Sequence, residues 1–256
     1  MPNLFLELRD DDETPGTTPA PLPDAGALAV LRQAEMAGSR LIPWGSNYSF
    51  AVALEMPDAR PQLAIYKPRA GEAPLYDFPD GTLYLREVAA YDLSCWLGWD
   101  IVPPTVARDG PHGVGSVQLY VEPDEQVDAT RFWGATHPEI ERMVLFDHIA
   151  NNADRKIGHC LRDRRGKVWG IDHGLTFNRF PKLRTVLWQY VGEPISPDLQ
   201  ADLDRMVTEA SDLRSALAPC LDEGELDALF ERARRFRDAG CYPPLNPRRN
   251  VPYGWW

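Results

Sequence analysis

Phe146-Asp147-His148-Ile149-Ala150-Asn151-Asn152-Ala153-Asp154-Arg155-Lys156-Ile157-Gly158-His159-Cys160-Leu161, followed by Arg162 to Val168 and then Trp169-Gly170-Ile171-Asp172-His173-Gly174, is the stretch whose reading decides the fold. Cys160 to Arg162 and Val168 to Ile171 have the character of two short strands. Asp163-Arg164-Arg165-Gly166 between them is turn chemistry. A hairpin brings its open ends together, so His159 and Asp172 become neighbours. Asp154 lies on the loop entering the same end. Two carboxylates, a histidine and a lysine (Lys156) thus converge on one spot. Such a set suits phosphoryl transfer. One carboxylate orients or deprotonates a hydroxyl, a second holds a magnesium ion bridging phosphates, and a lysine stabilises the group in flight.

Upstream, Ile140, Met143 and Val144 predict a helix starting near Pro138, whose inward face Asp147 continues as a structural residue. Farther back, a short helix is expected over about 25–36, then a hairpin over 39–56 with Trp44-Gly45-Ser46-Asn47 at its tip. Leu63 to Lys67 reads as a strand and about 85–97 as a helix, stopped by Val102-Pro103-Pro104-Thr105. Gly115 to Val121 reads as another strand. Downstream, Leu199, Leu203, Met206, Ala210, Leu213 and Leu217 predict one amphipathic helix, and Leu226, Leu229, Ala233 and Phe236 a second. The tail from Cys241 to Trp256 reads as an irregular strap.

The pattern D-x-x-x-x-N-x-D-R-K, then a short hairpin and I-D-x-G, resembles the catalytic core of the phosphatidylinositol 3-/4-kinase superfamily. Asp147, Asn152, Asp154, Arg155, Ile171, Asp172 and Gly174 carry the match. Within that superfamily the chain resembles small bacterial kinase-like proteins, with HipA-type kinases and secretory-pathway kinases more distant. The resemblance implies an α+β, two-lobed protein-kinase-like fold, with a mixed N-lobe and a mostly helical C-lobe around a nucleotide cleft. Composition and the order of elements predict a flexible segment at 1–24, the N-lobe at 25–123 and the C-lobe at 124–256; the resemblance covers roughly residues 40–180.

It further implies that Gly45, Ser46 and Asn47 cover the nucleotide phosphates. Lys67 would hold phosphates with Glu87 in support, and Tyr120 and Val121 would supply the hinge. Asp154 and Lys156 would be catalytic, and Asp172 a metal ligand. The implied cofactors are ATP and Mg2+ or Mn2+. The acceptor would be a hydroxyl on an inositol- or sugar-type metabolite or lipid, or less readily a protein Ser/Thr. His159 departs from the pattern: the fifth residue after the catalytic Asp is usually Asn, a second metal ligand. Imidazole suits manganese or zinc better than magnesium. Two alternatives therefore stay open, a catalytically impaired nucleotide-binding pseudokinase and a protein adenylyltransferase on the same fold. The residues have ordinary readings too: Asp154 a turn cap, Asp172 an Asx-turn with Gly174, Lys67 an edge-strand cation, and Glu87 a first-turn helix acid.

Composition bounds the rest. In 256 residues, 38 acidic against 27 basic side chains give a net charge of −11, which argues against unspecific nucleic-acid binding. Four well-separated cysteines form no CxxC pair, as in a reducing compartment. No apolar run is long enough to span a bilayer, and Met1 to Asp10 lacks signal-peptide character. The expectation is a cytoplasmic protein without a stable membrane anchor.

Overall fold

The computed structural model describes residues 24–43, 45–56, 59–127 and 132–254. Apart from Asp24, the expected flexible segment lies outside the described residues. By its contacts the chain divides into two compact units. One comprises Met1–Val88 and Pro103–Tyr120, the other Ala89–Val102 and Val121–Trp256.

The first unit opens with helix α1 (Asp24–Gln33), then strands β1 (Met36–Leu41), β2 (Phe50–Met56) and β3 (Ala59–Pro68). With β4 (Thr105–Gly110) and β5 (Gly113–Leu119) they form an antiparallel sheet ordered β1-β2-β3-β5-β4. Ala27 and Leu31 of α1 bury against Val52, Leu54, Ala64, Tyr66, Val106 and Val117, which makes the core of this unit. The expected hairpin and the strand ending in Lys67 are β1–β2 and β3. β4 is a strand the sequence reading did not anticipate. It is an edge strand whose outer half, Ala107 to Gly110, is charged and partly exposed, so its alternation is hidden. Arg108 secures it by donating to the carbonyls of Leu31 (3.1 Å), in the last turn of α1, and Ala34 (2.8 Å), just past its end.

Helix α2 (Leu83–Leu97) begins two residues before the expected start, because a distant carboxylate caps it. Glu72 accepts from the amides of Leu83 (3.0 Å) and Tyr84 (2.8 Å), two donors that a helix N-terminus otherwise leaves unpaired. The contact division falls within α2, so residues 89–102 group with the second unit. The reason is a set of bonds made by the end of α2 and the segment after it. Trp99 Nε1 donates to Asp202 (2.7 Å), Arg205 donates to the carbonyls of Trp96 (2.9 Å) and Leu97 (3.0 Å), and Gly170 N donates to Ile101 O (2.6 Å).

In the second unit, α3 (Pro138–Ile149) has proline in its first turn and His137 as N-cap, whose ring nitrogen accepts from Glu139 N (3.3 Å). The hairpin β6 (Cys160–Arg162) and β7 (Val168–Gly170) pairs as the sequence suggests. Asp163 organises its turn by accepting from Arg165 N (2.9 Å), Lys167 N (3.0 Å) and Trp169 Nε1 (3.0 Å).

The single helix expected over 199–217 is two helices, α4 (Pro197–Thr208) and α5 (Ala210–Leu217), broken at Glu209. Thr208 Oγ1 bonds back to the carbonyls of Asp204 (2.9 Å) and Arg205 (3.2 Å), which loosens the helical ladder there. The apolar stripe stays in phase across the break, so periodicity alone could not reveal it. Helix α6 (Glu223–Ala239) carries a capping box between Asp222 and Glu225 and ends on left-handed Gly240, φ +63°. It packs on α3 and α4.

His148 of α3 is 6% exposed, with its ring 5.0 Å from that of Phe236 and 5.9 Å from that of Tyr242. Burial lowers its pKa from 6.5 to about 4. The unfolded chain therefore takes up this proton first. The contribution to stability is complete above pH 6.5 and is lost as pH falls toward 4, about 3 kcal/mol in all. Urea unfolding of His148→Phe across that window is expected to show a shallower acid loss than the parent protein. An unchanged slope would refute this account.

Candidate active site

The loop after α3 is built around a buried cation. Arg155, 0% exposed, meets the Asp147 carboxylate through Nε (2.9 Å) and Nη2 (2.8 Å). Its Nη1 donates to the carbonyls of His159 and Ile171, both at 3.1 Å, and Nη2 reaches His173 Nε2 (2.8 Å). One guanidinium thus ties α3, the entry of the hairpin and its exit together. Burial alone would lower the pKa of Arg155, and Asp147 more than reverses this, so the net shift is upward. Gly170 leaves room for the arrangement, since a Cβ there would sit 3.3 Å from Arg155 Nη2 and from the His173 ring.

Asn152 completes the frame. Its amide donates to Asp147 (2.9 Å) and its carbonyl oxygen accepts from Asp154 N (3.0 Å). Asp147 is therefore a structural carboxylate, in accord with its inward position in the sequence reading. The sequence match includes Arg155 but assigns it no task; its eight-residue spacing from Asp147 was the available signal.

Four candidate residues come together on this frame. Asp154 Oδ2 lies 2.9 Å from Lys156 Nζ. His159 Nε2 lies 3.3 Å from Asp172 Oδ2, and Ile171 N donates to His159 O (3.0 Å), which places the two hairpin ends side by side. Asp154 has its carboxyl pKa raised chiefly by burial, with Asp172 adding to the rise and Lys156 and His159 opposing it. All four groups therefore share one electrostatic neighbourhood. Asp172 is half-exposed and left-handed, φ +61°, a conformation uncommon outside glycine, asparagine and aspartate.

His159 Nδ1 is 2.9 Å from Asp154 O. Nδ1 also lies 3.5 Å from Lys156 N, so the ring is held by the Asp154–Lys156 backbone while Nε2 faces the Asp172 carboxylate. Carboxylate oxygens with an imidazole nitrogen form a donor set that fits a divalent cation, and the nitrogen favours manganese over magnesium. Among the described residues no group of three or more His, Cys, Asp and Glu is arranged to hold a metal by itself.

The remaining candidates lie in the first unit or at its edge. Lys67 Nζ and Glu87 Oε1 form an ion pair, with Glu87 2% exposed. Gly45, at φ +107°, and Ser46 are exposed at the β1–β2 connection. Asn47 anchors that connection by accepting from Ala73 N (2.8 Å). Tyr120 N donates to Leu63 O (3.1 Å) just beyond β5, and Val121 begins the second unit. Cys160 is buried under the site, with its thiol pushed up to about 12 by burial, and carries no nucleophilic chemistry.

No family model matches the chain. Protein Rv2133c of Mycobacterium tuberculosis is 36% identical over an alignment of 286 positions, which covers 98% of this chain and 97% of that protein. Phosphatidylinositol 4-kinase gamma 4 of Oryza sativa subsp. japonica is 31% identical over 139 positions, 46% of this chain and 25% of that enzyme. Among solved structures, the Golgi casein kinase with Mn/ADP bound superposes with a TM-score of 0.56 at 14% identity, covering 84% of this chain and 74% of that one. Hydra Fam20 with sugar gives a TM-score of 0.56 at 16% identity, covering 83% and 86%. The fold is α+β of the protein-kinase-like type.

Proposed function

The chain belongs to the same family as protein Rv2133c of Mycobacterium tuberculosis, and from that membership and the fold we propose that it is an ATP-dependent phosphotransferase acting on a hydroxyl. The observation that carries the reading is the convergence of Asp154, Lys156, His159 and Asp172 at the open end of one hairpin. The acceptor class we infer is an inositol- or sugar-type metabolite or lipid. The partial likeness to a phosphatidylinositol 4-kinase and the Mn/ADP and sugar held by the two structural relatives support that choice.

In this reading Asp154 receives the acceptor's hydroxyl proton. Burial raises its proton affinity, which suits a base working on a weakly acidic group. The acceptor oxygen bonds to the γ-phosphorus as the bond to the β,γ-bridging oxygen breaks, and that electron pair leaves on ADP. Lys156 holds Asp154 in place and presents positive charge to the phosphoryl oxygens. Lys67, steadied by Glu87, holds the nucleotide phosphates, Gly45, Ser46 and Asn47 cover them, and backbone groups at Tyr120 and Val121 meet the base. Asp172 and His159 would hold the divalent ion, which supplies positive charge at the phosphate oxygens when bound.

Thermal unfolding with ATP, with and without Mn2+ or Mg2+, tests the reading. A ligand at 100 times its Kd adds about 2.7 kcal/mol. The expected result is a metal-dependent rise in Tm that Asp172→Ala abolishes. A rise that ignores metal would favour the pseudokinase, as the His159 replacement suggests. No rise under any condition would remove the support for nucleotide chemistry.

A further inference from the structure

The loop that carries Asp154 opens on a side chain that the proposed chemistry does not use. Asn151 is 2% exposed and left-handed, φ +53°. Its Nδ2 donates to the carbonyls of Asn178 (2.8 Å) and Phe180 (2.7 Å), and its Oδ1 accepts from Lys182 N (2.8 Å). Both amide hydrogens and the carbonyl oxygen are thereby engaged, all with the backbone of one bend. Asn178 Oδ1 closes that bend from within by accepting from Phe180 N (2.9 Å). Arg232 of α6 supports it at one point, donating to Asn178 O (3.2 Å) and to Ile149 O (2.6 Å) at the end of α3.

The bend lies on the chain that leaves Asp172. Phe177 N donates to Ala150 O (2.6 Å) and Ala153 N to Leu175 O (2.9 Å), so 175–177 runs beside the start of the loop. Arg184 N donates to Asn152 O (2.8 Å) and Arg155 N to Arg184 O (3.0 Å). Asn250 O accepts from Thr185 N (2.9 Å) and Asn250 Nδ2 donates to Leu183 O (2.7 Å). Both ends of 175–185 are thus pinned without Asn151, and the middle is what Asn151 holds. Backbone strain collects at the same place. Asn151, Asp172 (φ +61°) and Phe177 (φ +60°) are three of the four non-glycine residues at positive φ among the described residues. Asparagine and aspartate tolerate that conformation, whereas a bulky aromatic is a true outlier there. Phe177 is 0% exposed, and such a conformation persists only where the surroundings enforce it.

We propose that Asn151 is a positioning residue for Asp172: by clamping 178–182 it holds Phe177 in its strained conformation and so sets the path of 172–177 past the Asp154 loop. This rests on the phosphotransferase reading for the divalent ion at Asp172 and His159. Without the clamp Phe177 relaxes, and the Asp172 carboxylate loses its fixed place beside His159.

Asn151→Gly is the discriminating variant. Glycine adopts positive φ without steric cost, so the backbone can keep its path while the clamp is lost. Asn151→Asp keeps the size, the tolerance of positive φ and the acceptor for Lys182 N, and loses both donors. Trp99→Phe is the control, since it deletes a bond to Asp202 in the same unit and outside the site. Amide hydrogen exchange of the full chain without ligand reads the clamp. Mn2+ titration at a fixed excess of ATP, followed by thermal shift, reads the metal site. In Asn151→Gly the amides of Phe177 and Lys182 should exchange about 10-fold faster or more, while that of Arg184 keeps its protection. In both Asn151 variants the Mn2+ concentration that gives half the shift should rise about 10-fold or more, with the response to ATP alone unchanged. Trp99→Phe should lower Tm and leave both readings as in the parent.

The two readings fail in different ways. A parent protein with no metal-dependent shift sinks the phosphotransferase reading and this proposal with it. A parent response that Asn151→Gly keeps in full leaves that reading intact and overturns the proposal, as does unchanged exchange at Phe177. An equal rise in the Mn2+ requirement of Trp99→Phe also overturns it, because the effect would then be one of general stability.

Discussion

Asp154→Asn is expected to lower phosphoryl turnover by roughly 10²–10⁴-fold, the range for losing a positioned general base. The substitution keeps the shape of the side chain and removes its ability to take a proton. The backbone around it should hold, because Asp154 N remains bonded to Asn152 and the loop remains pinned by Arg155. Single-turnover measurements with saturating ATP and metal would separate chemistry from binding. A loss in turnover with retained nucleotide affinity supports the assignment. Turnover within a few-fold of the parent would make Asp154 a loop residue and move the base elsewhere.

Arg155→Met should produce the largest change in stability. It strands the buried Asp147 carboxylate and removes the donors that join His159 O and Ile171 O. Breaking a buried ion pair on one side costs about 3–5 kcal/mol. In a chain of this size that lowers Tm by roughly 10 °C or more. Asp147→Leu alone should be comparably damaging, since it buries an unpaired guanidinium. The double variant Asp147→Leu/Arg155→Met should recover part of the loss, because neither charge is then left unpaired. Strictly additive losses would show that the pair is not the coupled unit described.

What could be read from the chain divides along physical lines. The β6–β7 hairpin was legible because its turn residues and its strands are adjacent in sequence, and the proximity of His159 to Asp172 follows from hairpin closure alone. Lys67 and Glu87 were legible as a strand residue and a helix residue in a known order. β4 was not, because an edge strand with Arg108 and Asp109 on its exposed half has no apolar alternation to detect. The break at Glu209 was hidden by an unbroken leucine stripe. The central position of Arg155 was hidden for a different reason. A charged residue in a loop reads as solvated, and only the assembled fold shows that Asp147, His159, Ile171 and His173 all face it. The meeting of 183–185 with Asn250 is a long-range contact that no local pattern announces.

The short segment after β3 has a mechanical consequence for the first unit. Gly71 O receives Tyr48 N (2.9 Å), Ala73 N is held by Asn47, and Glu72 between them grips the start of α2. Three successive residues thus link the 45–49 connection to the helix bearing Glu87, while the strand just before them bears Lys67. The 45–49 connection and the first turn of α2 are therefore anchored on one three-residue segment that follows the strand bearing Lys67.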